Sequence, residues 1–421
     1  MAPALQSAGI PGLAHVCSLS FVGSRTIPGL GFPIALAGGT AIAHIGDRIS
    51  GRRGISVGLA ALIESVAILG PARISTPIGQ LVTAPVIAAL RRRGRSNRVQ
   101  ALACASVRGT FNALWTLLVI YVITGGFDAF VGSYDATIGK LPLTPSGAPA
   151  AIGSTVLSVS IWAIGASWVQ VKALGRATRR WSEPLPEAGA QPGRPAPESI
   201  EADEQAVGLP HRDQRPRRFD PRFVTAATAL AFALLLISST PMLLGAVALW
   251  LALACLLSPV ERDILQPGLA LATLLGTGAF LANLIGGEGV AAGAELAARA
   301  VLLVLTATWM RAAAGTEGFR EVVRRILERG RRFRLSTEIE QALTEIEGER
   351  RMGPALRELS EALGEVEGGM IDSVDTVIDW ISAEAARFEP HPPHPRPALS
   401  WRLIDLVVVI GAGLPALALS P

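Results

Sequence analysis

Apolar blocks alternate with short arginine clusters along this chain, and the length of those blocks sets its architecture. Crossing about 30 Å of hydrocarbon takes roughly 20 helical residues. Residues 29–47, 99–124, 150–171, 264–285 and 290–310 read as full spans. Residues 55–69 and 74–90 are short apolar runs that suit tilted or re-entrant helices. Residues 223–237 and 242–257 form a hairpin that turns at Ser238, Ser239, Thr240 and Pro241, and a last span covers 403–419. The pattern predicts an all-α polytopic membrane protein of about ten helical segments with a small cytoplasmic helical hairpin.

Punctuation divides it. A membrane bundle at 1–171 precedes a Pro-, Glu- and Arg-rich linker at 172–222, which is too polar to bury a core of its own. A second bundle follows at 223–312, then a charged helical region at 313–400 and a terminal helix at 401–421. The basic clusters at 48–53, 91–98, 172–222 and 311–334, with Arg262, fall on one side if every segment crosses. That side is then cytoplasmic, because Lys and Arg in short loops favour it. The polar loop 125–149 falls outside, and the protein belongs in the inner, cytoplasmic membrane. The first 25 residues are weakly apolar with no basic region ahead of them, which argues against a cleaved signal peptide.

Composition agrees with lipid as the solvent. Half of the residues are hydrophobic, 17% are charged and the mean hydropathy is +0.42, against about 25% charged in soluble domains. The net charge of +4 is carried almost wholly by arginine, since Lys140 and Lys172 are the only lysines. The arginines lie between apolar blocks and not on one soluble face, so nucleic acid is not an expected partner. Cys17, Cys104 and Cys255 are too dispersed for a disulfide framework or a metal site. No phosphate loop, HExxH, GxSxG or paired CxxC is present, so neither enzymatic chemistry nor a cofactor is expected.

Ionisable residues inside spans are costly and often functional. His44 and Asp47 lie one turn apart, at the basic end of their segment. Glu64 sits within its run, with Arg73 and Arg108 as candidate partners. These five are the candidate intramembrane polar site, with capping or structural ion pairing as the plainer reading. Glu295 and Arg299 have intrahelical i, i+4 spacing.

Beyond residue 317 the chain turns amphipathic. Phe319, Val322, Val323 and Ile326 form an apolar stripe, with Arg324, Arg325 and Arg329 among the surrounding arginines, a pattern suited to a membrane surface or a partner's groove. These seven residues are the candidate partner-coupling element. Fourteen acidic residues against four arginines follow between Ser336 and Glu389, so this stretch should avoid anionic lipid and can fold back on the basic helix.

Two segments carry a family resemblance. The hairpin ALAFALLLISSTPMLLGAVALWLALACLLS, and the span AARAVLLVLTATWMRAAAGTEGFREVVRRILERGRRF that runs into a basic helix, resemble the transmembrane T component of energy-coupling factor transporters, the CbiQ-like family. The resemblance covers 223–334 and is one of hydropathy and punctuation. It implies a transport component that couples ATP-binding-cassette ATPase subunits to a membrane subunit binding a small-molecule, vitamin or metal substrate. Family members use Ala-Arg-Gly-type motifs for that contact. The nearest match is Glu328, Arg329 and Gly330, with Glu in first position and no second copy. The first half has the size of a substrate-binding component. Two other readings stand beside this one: a non-transporting scaffold that recruits a cytoplasmic partner, and a lipid-processing enzyme built around Glu64 or His44.

Overall fold

The computed structural model describes residues 3–27, 30–71, 75–140, 144–181, 219–238, 240–258, 262–346, 352–366, 369–387 and 402–419. The linker expected at 172–222 lies outside them from residue 182 to 218, as does Arg73. The described chain is all-α. Its helices are α1 (Pro3–Thr26), α2 (Gly31–Arg48), α3 (Gly51–Leu69), α4 (Ser75–Arg92), α5 (Asn97–Val122), α6 (Phe127–Thr137), α7 (Ala148–Arg180), α8 (Pro221–Ile237), α9 (Pro241–Leu257), α10 (Arg262–Gly286), α11 (Gly289–Arg329), α12 (Arg334–Ile346), α13 (Met352–Gly364), α14 (Met370–Arg387) and α15 (Leu403–Gly413).

Four of them, α5, α7, α10 and α11, are long and apolar enough to cross a membrane, and α8, α9 and the 403–416 segment are shorter apolar helices. Their outward faces carry exposed large apolar side chains, including Leu102, Leu118 and Tyr121 on α5, Leu157, Ile161 and Trp162 on α7, and Leu274 and Leu281 on α10. Water would penalise such a face at roughly 25 cal/mol per Å², whereas lipid would not. Lys172 sits 5.2 Å over the Trp168 ring, the cation and aromatic pairing of an interfacial anchor. At 33 residues α7 is about 50 Å long, so it extends well past a 30 Å hydrocarbon layer.

Two cores hold the fold. The first surrounds α1, whose Val16, Cys17, Leu19 and Phe21 are fully buried, and α1 packs against α2, α3, α12 and α14. Small residues permit this closeness: a Cβ added at Gly54 on α3 would stand 2.8 Å from the Ile42 carbonyl oxygen and 3.1 Å from the Gly46 Cα of α2. The second core joins α8, α9, α11 and α15. Here Trp250 meets Trp309 edge-on at 5.3 Å, and the Trp250 Nε1–H donates to the Val408 carbonyl at 3.0 Å. Asp405 ties the openings of α8 and α15, accepting from Asp220 N at 2.7 Å and Arg402 N at 2.6 Å. The Asp220 side chain caps α8 through Arg222 N at 2.9 Å. Burial would raise the Asp220 carboxyl pKa, but the hydrogen bonds and charge of Arg222 and the charge of Arg325 prevail and hold it below its usual value.

Several sequence expectations need correction. The runs at 55–69 and 74–90 are helices of 19 and 18 residues, because Arg52, Arg53, Arg91 and Arg92 belong to their end turns and Ser50 accepts from Arg53 N. The loop 125–149 holds α6, entered through Gly125 and Gly126 at positive φ. Among the described residues of 313–400, three helices, α12 to α14, follow α11 where a helical hairpin was expected. Of these, α12 contacts the end of α11, and just beyond that end Arg331 pairs with Glu340 at 2.9 Å. Otherwise they pack on the N-terminal bundle: Arg52 meets Glu338 at 2.8 Å, Arg176 meets Asp375 at 3.1 Å, and Trp181 Nε1–H donates to Ser382.

Candidate functional site

Two polar centres lie inside the packed helices, and the sequence candidates divide between them. The first joins α3 to α11. Glu64, on the buried face of α3, receives a bidentate guanidinium from Arg320, with Nε at 2.6 Å from Oε2 and Nη2 on Oε1. Side-chain exposure is 1% for Glu64 and 10% for Arg320. Arg320 also reaches Glu317 at 2.8 Å, one turn back. Sequence reasoning offered Arg73 or Arg108 to Glu64; Arg108 instead belongs to the other centre. Only the fold brings Arg320, 256 residues away, to this carboxylate.

This pairing reorients the partner-coupling element. Residue 315 breaks α11, since Gly315 has φ 65° and ψ 165° inside an otherwise continuous 41-residue helix. Left-handed backbone of this kind favours glycine. Beyond the break, Arg320, Glu321, Val322 and Arg324 are buried. Arg324 and Arg325 pair with Glu321 at 3.3 and 2.9 Å. Phe319 is half-buried against the second core, Val323 is partly covered, and Ile326 and Arg329 are exposed. Arg320, Glu321 and Arg324 therefore face inward, while Arg329, Ile326 and Phe333 face out, the last two 58% and 70% exposed.

The second centre sits where α2, α4, α5 and α7 meet. Arg108, 4% exposed, donates to Gln170 Oε1 at 2.6 Å and Thr83 Oγ1 at 3.4 Å. Thr83 also donates to Gln170 Oε1 at 3.0 Å. Gln80 and Gln170 both close on Gly39 of α2, where an added Cβ would stand 2.5 Å from Gln80 Oε1 and 3.2 Å from Gln170 Nε2. Of this centre only Arg108 stands out in the sequence, as an ionisable group inside a span; the weaker signal is Gln80, Thr83 and Gln170, amide and hydroxyl side chains inside apolar helices.

His44 and Asp47 do not form a pair. His44 stacks edge-on against Trp181 at 4.8 Å, and Asp47 binds Arg91 at 3.2 Å. Arg299 donates to the Leu235 carbonyl, and to that of Leu236 at 2.7 Å, so it caps the C-terminal end of α8 and does not reach back to Glu295. Among the described residues no group of three or more His, Cys, Asp or Glu is placed to hold a metal ion. No known protein-family model matches the chain, and no curated protein matches it.

Proposed function

We propose that this chain is a multi-pass inner-membrane protein acting as a transport-associated coupling component, similar in role to the energy-coupling factor T component and without enzymatic chemistry of its own. The observation that carries the reading is α11. It runs from an apolar, span-length segment through the Gly315 break into a charged segment that Arg320 clamps to Glu64, leaving Ile326, Arg329 and Phe333 exposed. A partner that engages those exposed residues pulls on an element rigidly joined to both the membrane helices and α3. Motion at one site can reach another only through such packed, discrete contacts.

The topology proposed with it has about ten segments crossing, basic loops and the helices α12 to α14 in the cytoplasm, and the region around α6 outside. The partner of this reading is an ATP-binding-cassette ATPase, and the N-terminal half supplies the substrate side. Purifying the tagged full-length chain from its native membranes in mild detergent tests the proposal. ATPase subunits that co-elute stoichiometrically, with ATP hydrolysis in the same fractions, are the expected result. Recovery of only non-ATPase envelope proteins would replace it with the scaffold reading.

A further inference from the structure

Arg108 is a buried cation whose two hydrogen-bond acceptors, Gln170 and Thr83, are both neutral. Among the described residues its Nε–H has no partner, nor does either amide atom of Gln80, Gln170 Nε2 or the hydroxyl of Ser167, one turn before Gln170 on α7. Gln80, Thr83, Ser167 and Gln170 are all fully buried. A charge in this setting costs several kcal/mol if nothing compensates it. There is room on α4 one turn from Thr83: Gly79 is buried, yet outside its own stretch of helix no atom of the described residues lies within 4 Å of where its Cβ would project. Gly79 lies one turn from Thr83 on the same face of α4, and its carbonyl oxygen is 2.9 Å from the Thr83 hydroxyl oxygen.

We propose that the α2–α4–α5–α7 junction binds a small monovalent anion of the halide class. The chemistry of the donor set selects the sign. Arg108 Nε, Gln80 Nε2, Gln170 Nε2 and Ser167 Oγ all donate, and Gln80 Oε1 is the one obligate acceptor among the unpartnered atoms. A cation would face the guanidinium, and none of these side chains is a carboxylate that could hold it. Water would satisfy the donors but leave the charge uncompensated, whereas an anion does both through charge-assisted hydrogen bonds. One arginine matches one negative charge. Gly39 keeps the two glutamines together, because any side chain there would displace them. This site is independent of the coupling role proposed above.

The probe is chloride. Purified full-length protein in detergent is melted while chloride replaces gluconate at constant ionic strength. The wild type should gain stability saturably with chloride. Gln80→Leu, which keeps the arginine, should raise the half-saturating concentration about tenfold through loss of one hydrogen bond to a charged group. Arg108→Gln should abolish the response, and Arg93→Gln, on the exposed α4–α5 loop, should leave it intact. Identical melting of the wild type in the two salts overturns the proposal. Should Arg108→Gln fail to fold, Gln80→Leu and Ser167→Ala decide, and an unchanged half-saturating concentration in both overturns it equally.

Discussion

The Glu64–Arg320 pair predicts an asymmetric response to mutation. Removing one partner of a buried ion pair typically costs about 3–5 kcal/mol, because the other charge is left uncompensated. Here the two partners differ in what they keep. Arg320→Met leaves the Glu64 carboxylate, 1% exposed, without the side chain that, among the described residues, hydrogen-bonds it, so the loss should reach that full range. Glu64→Gln leaves Arg320 with Glu317 at 2.8 Å, so the loss should be about 1–3 kcal/mol. The double variant Glu64→Leu/Arg320→Met buries no charge and should recover to within about 1–2 kcal/mol of wild type. Denaturant titration of the full-length protein in micelles, followed by tryptophan fluorescence, gives the three values and their coupling energy. Additive single effects, each under about 0.5 kcal/mol, would show that the pair does not hold α3 to α11.

Further predictions follow from other parts of the fold. Gly54→Ala should destabilise by about 1–3 kcal/mol, because its Cβ meets α2 backbone that cannot rotate away, whereas Gly109→Ala, with 3.8 Å to the Ala163 Cβ, should melt close to wild type. Asp220→Ala should cost about 1 kcal/mol through loss of the α8 cap. Because the folded-state pKa of Asp220 is depressed, its stabilisation is present above the unfolded value near 4 and is lost as pH falls through the folded one. Melting against pH should therefore show a shallower acid limb in Asp220→Asn. A cysteine at Ser199 should label only after the membrane is opened, and labelling in intact cells would overturn the proposed topology.

The sequence made the helical class and the apolar segments legible because hydropathy and helix length are local properties. The positions of the basic clusters were equally readable. The role of α1 was not, since its burial comes from α2, α3, α12 and α14 closing around it, and its own apolar signal is weak. The stripe of Phe319, Val322, Val323 and Ile326 was correctly helical. Which arginines turn inward was not legible: Arg320 and Arg324 are buried beside Glu64 and Glu321 while Arg329 stays exposed, and a sequence pattern cannot weigh an ion pair formed 256 residues away. Gln80, Thr83 and Gln170 were overlooked for a related reason: a neutral polar side chain in an apolar helix stands out only when its neighbours are known.

Photo-crosslinking at position 326 tests the coupling account most directly. Ile326 is exposed on α11 beyond the Gly315 break, so a benzoylphenylalanine placed there should leave insertion and melting unchanged. Under the proposed function, irradiation of intact cells gives one dominant adduct with an ATPase subunit, and the adduct disappears when Phe333→Asp is added. Adducts only with lipid, or an ATPase adduct indifferent to Phe333→Asp, would contradict a docking role for this end of α11.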